Sequence, residues 1–210
     1  MPGLESLAIF ALAAAVMNIS PGPSNLYVMS RSLAQGPRAG LVATAGLATG
    51  SLFHVCVTAL GLAAILRYSP TFYAVVKLGG AAYLVFLGLR LLLSKAPDVA
   101  ATAAVGYRPH LRIFRESILV EVLNPKTALF FLAFLPQFAD PAAGPLAPRL
   151  LLLGGIVTVT AIPCDAFVAL AAGAAAKVMS RRPLYRRLQN WLSGSVLVGL
   201  GAYVATSERP

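Results

Sequence analysis

Charge is what this sequence has least of. Seven acidic residues occur among 210, and all charged residues together make up 11%, against 58% hydrophobic. An ordinary soluble domain is about 25% charged and roughly 45–50% apolar, so a water-soluble globule is excluded. Cysteine and histidine are equally scarce, at two each. Cys56 and Cys164 both lie in apolar stretches and read as small buried side chains, which excludes a disulfide framework. His54 and Cys56 are two apart on a helix and face different directions, which argues against a joint metal site. The first 30 residues contain no Lys or Arg, so the first apolar stretch lacks the basic start of a secretory signal and is expected to stay as a membrane span.

Long apolar runs fill the chain instead. About 20 apolar residues cross a hydrocarbon core roughly 30 Å thick, and six stretches qualify: about 4–30, 39–66, 69–93, 115–138, 147–176 and 186–206. All six are predicted to be helices, because lipid cannot satisfy an open backbone and the runs lack the alternation of barrel strands. The fold class predicted is therefore all-α, a polytopic membrane protein with six transmembrane helices. Residues 1–210 are expected to form a single transmembrane domain, with a first repeat at about 1–93, a linker at 94–114 and a second repeat at about 115–206. Gly36/Gly40 and Gly46/Gly50 have the spacing of close helix packing. The expected use is a seam within the fold, with a homo-oligomer contact as the other use.

The net charge of +10 would suggest nucleic acid in a soluble protein. Its distribution says otherwise. Twelve of the 17 basic residues fall in three connections: Arg31 and Arg38; Arg90, Lys95, Arg108, Arg112 and Arg115; Lys177, Arg181, Arg182, Arg186 and Arg187. Basic loops stay in the cytoplasm, which predicts both termini outside and leaves the lipid bilayer, not nucleic acid, as the partner.

Each half opens with a broken span: Ser20-Pro21-Gly22-Pro23 in the first and Asn124-Pro125 in the fourth. Proline lacks an amide hydrogen, so Pro21, Pro23 and Pro125 free the carbonyls of Met17, Ile19 and Glu121. Ser20 and Asn124 are favoured N-caps and proline is favoured at the first helical position, so helices one and four are expected to be discontinuous. Interrupted helices at matching places in two halves point to a secondary transporter whose site lies at the repeat interface. Three spans per half make the second repeat inverted. A helix starting in mid-membrane suits a carboxylate, and freed carbonyls suit an ammonium group or a cation. Four charges stay inside the spans, each at an insertion cost of about 2.5–3.5 kcal/mol: Lys77, Glu121, Lys126 and Asp165. They are candidates for substrate binding, ion coupling or mutual pairing. Lys126 opens a helix, where the dipole disfavours a cation, so an anionic group is expected near it. Glu116 is expected to pair with Arg112 and Arg115.

The segment Asn18-Ile19-Ser20-Pro21-Gly22-Pro23-Ser24-Asn25, the run Lys77-Leu78-Gly79-Gly80-Ala81-Ala82-Tyr83-Leu84, the motif Leu123-Asn124-Pro125-Lys126 followed by Phe130-Phe131, and Asp165 resemble the LysE/RhtB family of amino-acid exporters. The resemblance runs from about residue 4 to 206. It implies export of an amino acid or close derivative across a bacterial inner membrane, driven by the proton or an ion gradient, with no cofactor and no enzymatic activity. The translocation site it implies comprises Ser20, Pro21, Gly22, Pro23, Ser24, Asn25, Asn124, Pro125, Lys126 and Asp165. Lys77, Glu121 and Asp165 would serve coupling or charge pairing. Two other readings are a cation exporter, for which the carboxylates are few and the thiols scattered, and an intramembrane enzyme, for which no Ser/His/Asp or His/Glu spacing exists.

Overall fold

A computed structural model describes the backbone of residues 4–20, 22–62, 70–93, 106–139, 144–181 and 183–206. Pro21, Lys95, Arg67, Arg182, Arg209 and residues 94–105 of the expected linker lie outside the described residues. Eight α-helices carry the described chain: α1 (Leu4–Ile19), α2 (Pro23–Gln35), α3 (Pro37–Val57), α4 (Pro70–Leu93), α5 (His110–Val122), α6 (Pro125–Ala133), α7 (Leu146–Arg181) and α8 (Pro183–Thr206). A π-helical turn at Thr58–Leu62 extends α3, and a 3-10 turn at Leu135–Phe138 follows α6. No strand occurs among the described residues.

Punctuation by proline and glycine sets these boundaries. Five helices begin at a proline, whose fixed φ and missing N–H suit a first helical position. Gly36, at φ +85°, makes the sharp turn between α2 and α3, and its amide bonds the carbonyl of Ser32 at 2.9 Å. Helix α5 starts at His110 rather than near residue 115, so the described part of the linker is only 106–109. Nothing in the preceding run breaks a helix after Pro109, which serves as its N-cap residue.

Two single helices, Pro37–Gly61 and Leu146–Ala172, are long and apolar enough to cross a membrane, with mean hydropathy 1.6 and 1.9. Two bent pairs pass the same test as joined spans: α1 with α2, bent by 49°, and α5 with α6 and its following turn, bent by 47°. Helices α4 and α8, of 24 residues each, are about 36 Å long at 1.5 Å per residue. Outward surfaces are apolar, with Leu12, Leu60, Leu78, Leu123, Phe167 and Trp191 all exposed. Such a surface needs lipid around it. Cys56 joins it: both cysteines are free, but Cys56 is exposed, contrary to its expected burial.

Small residues bring the helices together. On α3, a Cβ at Gly40 or Gly46 would collide with Ser32 or Ser117, and one at Gly50 would stand 2.8 Å from both Glu121 Cβ and the Ile118 carbonyl. The 46/50 pair is therefore the seam between α3 and α5. Gly88 and Gly194 do the same for α4 and α8, each backbone meeting the other's carbonyl at 2.6–2.7 Å from the missing Cβ.

The core falls into two bodies on either side of the helix breaks. One is aromatic: Phe10 of α1 and Phe130, Phe134 and Phe138 from α6 onward, with ring centroids 4.8–6.0 Å apart. The other, smaller, joins Val28, Ala39, Ala43, Leu47, Ile113 and Ala169. Beyond it lies a polar cluster. The Tyr27 hydroxyl donates to Glu116 at 3.0 Å, Gln35 and the Arg108 backbone bond each other twice at 2.8 Å, and Arg31 donates to the Gly106 carbonyl at 3.2 Å. Glu116 pairs with Arg112, as expected, and with Arg108 in place of Arg115.

Candidate functional site

The sequence placed two helix breaks in mid-span, and the fold sets them side by side. A cavity of about 30 Å³ lies between them, lined by Met17, Asn18, Ser24 and Asn25 from the first break, Glu121, Asn124, Lys126 and Thr127 from the second, Leu47, Ala48 and Ser51 from α3, and Ala161, Ile162 and Asp165 from α7. Most small-molecule sites enclose about 300–1,000 Å³. The space between the breaks is small and partly open.

The second break forms as the residues dictate. Asn124 is the N-cap of α6, its side-chain oxygen accepting from the Lys126 amide at 3.1 Å, with Pro125 at the first helical position. The first break differs in detail. Helix α2 starts at Pro23 with Gly22 as N-cap residue and no side-chain cap, so Ser20 does not cap it. The Ser20 amide still bonds the Val16 carbonyl at 2.9 Å, extending α1 by one residue. Ser20 is fully buried, and its hydroxyl has no hydrogen-bond partner among the described residues.

Two of the three carbonyls expected to be freed, those of Met17 and Glu121, find donors. Lys126 Nζ donates to Met17 O at 3.0 Å and to Ser20 O at 2.7 Å. The Glu121 carbonyl, released by Pro125, accepts from the Asn124 amide at 3.0 Å and from His54 Nε2 at 2.9 Å. The anionic groups expected near Lys126 are present, since Glu121 and Asp165 line the same cavity, but its hydrogen bonds go to main-chain oxygens. Among the described residues no ion pair within 4.0 Å joins Lys126 to Glu121 or Asp165, although all three line the cavity.

Glu121 turns toward the start of α2. The Ser24 hydroxyl donates to its carboxylate, and Asn124 Nδ2 donates to Ser24 Oγ at 2.8 Å and to Glu121 at 3.5 Å. A negative side chain in the first turn of a helix is favoured by the dipole. The second bent pair thus sends an acid to the amide end of the first break and a lysine to its carbonyl end. Both are more than nine-tenths buried, Glu121 at 7% exposure and Lys126 at 6%.

Asp165, 8% exposed, is held more loosely: its hydrogen bond is from Asn25 Nδ2 at 3.4 Å. Asn25 also donates to Asn18 O at 3.1 Å, and Asn18 reaches Val157 O and Thr160 Oγ1 on α7, both at 3.2 Å. Asp165 is therefore the cavity carboxylate with the most capacity left for a cationic partner.

Of the sequence candidates, Ser24, Asn25, Asn124, Lys126, Glu121 and Asp165 converge on the cavity. Lys77, half-buried on α4, does not line it, nor do Ser20, Gly22, Pro23 or Pro125, which shape the breaks. His54 was missed. The signal was present: a histidine in an apolar helix needs a hydrogen-bond partner, and a carbonyl freed by proline needs a donor. Among the described residues no three His, Cys, Asp or Glu side chains come together as metal ligands.

The model of the LysE type translocator family matches residues 15–208. An "Uncharacterized membrane protein" of Vibrio cholerae is 32% identical over 95% of this chain and 96% of its own. The Bacillus subtilis "Uncharacterized membrane protein YrhP" is 31% identical over 94% and 97%. A "Leucine efflux protein" of Salmonella typhimurium is 24% identical over 98% and 97%. No solved structure matches.

Proposed function

This chain belongs to the LysE type translocator family, and from that premise we propose that it exports an amino acid from the cytoplasm across a bacterial inner membrane, driven by the proton motive force. The observation that carries the reading is the cavity between two helix breaks, where an acid-lined wall and helix N-termini face each other. A zwitterion needs both. Its ammonium group is received by Asp165, with Glu121 behind. Its carboxylate is received by the amide end of α6 at Thr127, with the charge of Lys126 nearby. Met17, Leu47, Ala161 and Ile162 supply an apolar wall for the side chain. Leucine is the first cargo to test, because relatives along the whole chain carry the name leucine efflux protein.

The architecture proposed with it is six spans in two inverted repeats: α1–α2, α3 and α4, then α5–α6, α7 and α8. The pattern of packing supports it. Helix α3 packs on α7 and α4 on α8, each a helix on its counterpart, while the second bent pair touches α3 and α4 as the first touches α7 and α8. Basic loops face the cytoplasm in this arrangement and both termini face outward.

The test is efflux from cells with and without the gene, each amino acid and each of several divalent metals supplied in turn. Faster leucine release and lower accumulation in expressing cells are expected. Metal resistance with every amino acid unaffected would overturn the proposal in favour of a cation exporter.

A further inference from the structure

Protons decide what a polar wall can bind, and those of the cavity can be followed one by one. On α7, the Thr158 hydroxyl donates to the Gly154 carbonyl at 3.1 Å. Thr158 Oγ1 also lies 2.9 Å from Ser51 Oγ of α3. A hydroxyl carries a single proton and a carbonyl carries none, so the second contact must use the proton of Ser51. Ser51, buried and lining the cavity, therefore offers a cargo lone pairs only.

The asparagines of the first break are committed in the same way. Both amide protons of Asn18 go to α7, to Val157 O and Thr160 Oγ1 at 3.2 Å. Those of Asn25 go to Asn18 O at 3.1 Å and to Asp165 at 3.4 Å. Each amide is oriented by a backbone carbonyl, which accepts and never donates, and the side-chain oxygen of each keeps its capacity to accept. Ser51, Asn18, Asn25 and Asp165 thus form an acceptor set, whereas Lys126 has already given two of its three protons to main-chain oxygens.

An ammonium group meets such a set with as many bonds as it has N–H groups. A primary ammonium has three. In an N-methylated or cyclic amino acid carbon replaces one of them, and an oxygen taken out of water without a donor is costly. A site built to bond an N–H rejects the analogue that lacks it.

We propose that Ser51 is a specificity-determining residue: its oxygen accepts one N–H of the cargo's ammonium group, alongside Asp165, and restricts transport to amino acids with a primary amine. The proposal rests on the export reading and narrows its cargo.

The test uses the full chain in liposomes loaded with labelled leucine or N-methylleucine, a pair that differs only at nitrogen. Wild-type release of N-methylleucine is expected to be about tenfold slower or more, and rates equal within about twofold overturn the proposal. Ser51→Ala leaves Thr158 bonded to Gly154 O, so no buried donor is orphaned. In this variant leucine release is expected to fall about tenfold with N-methylleucine unchanged, which collapses the difference. An unchanged ratio overturns the assignment to Ser51, and so does a collapse through faster N-methylleucine release, which marks a steric cause. Ser51→Cys keeps the volume and weakens the acceptor, and gives the same readout where Ser51→Ala does not fold. Folded wild type that releases neither compound rejects leucine export. The amine question is then read from thermal unfolding: a rise in Tm with leucine and none with N-methylleucine upholds the proposal, and equal rises or no rise overturn it.

Discussion

Asp165 and Glu121 sit in the same cavity and differ in what already holds them. Glu121 has a serine hydroxyl and an asparagine amide, whereas Asp165 has one long bond from Asn25. The looser carboxylate is the one available to a substrate amine. Asp165→Asn keeps the shape and removes the charge, so efflux is expected to fall roughly tenfold or more, the effect of about 1.4 kcal/mol, with membrane insertion unchanged. Retained efflux in a folded, inserted Asp165→Asn protein rejects the assignment. Asn124 is different, because its oxygen caps α6 and its amide holds Ser24. Asn124→Ala is expected to cost about 1 kcal/mol for the cap and to lower Tm, measurable by thermal unfolding in detergent. Asn124 was legible as a cap from its place before Pro125, and the structure agrees. Ser20 before Pro21 looked the same and is not a cap, because its amide stays in α1 and α2 starts at Pro23. Two prolines close together allow two starting points, and sequence alone does not choose between them.

Helices in this fold approach each other where side chains are missing. The seam between α3 and α5 runs along Gly46 and Gly50 and places Glu121 against α3. Gly50→Ala puts a methyl 2.8 Å from a carbonyl and a Cβ, so the helices must separate, at a cost of about 1–3 kcal/mol. Lower Tm and slower efflux are expected together, whereas a variant with unchanged Tm would show that the seam opens freely. The all-helical class and both breaks could be read from the chain because apolar length and proline chemistry are local. Which side chain serves which carbonyl could not, because Lys126 lies 106 positions from Ser20 and His54 67 from Glu121. The acids expected near Lys126 are in its cavity, yet its hydrogen bonds go to the carbonyl end of another helix, which the sequence around Lys126 does not show.

At the scale of the whole molecule, aromatic rings pack on one side of the helix breaks and the Tyr27, Gln35, Arg108 and Glu116 cluster lies on the other. In the proposed export cycle these two regions would open in turn. If the basic loops face the cytoplasm, the polar cluster is the inner closure and the aromatic body the outer one. A phosphatase fused after residue 210 is expected to be active and a cytoplasm-only reporter there silent. Signal from the second would invert both assignments.

The reach of Lys126 also bears on how the protein is made. The carbonyls of Met17 and Ser20 enter the membrane with the first span, and their donor lies 109 and 106 residues further along the chain. At roughly 5–20 residues per second, synthesis leaves about 5–20 s in which the first break exists without its lysine. During that interval the insertion machinery, or water admitted beside it, has to satisfy those oxygens. The first half is completed only when the start of the second arrives.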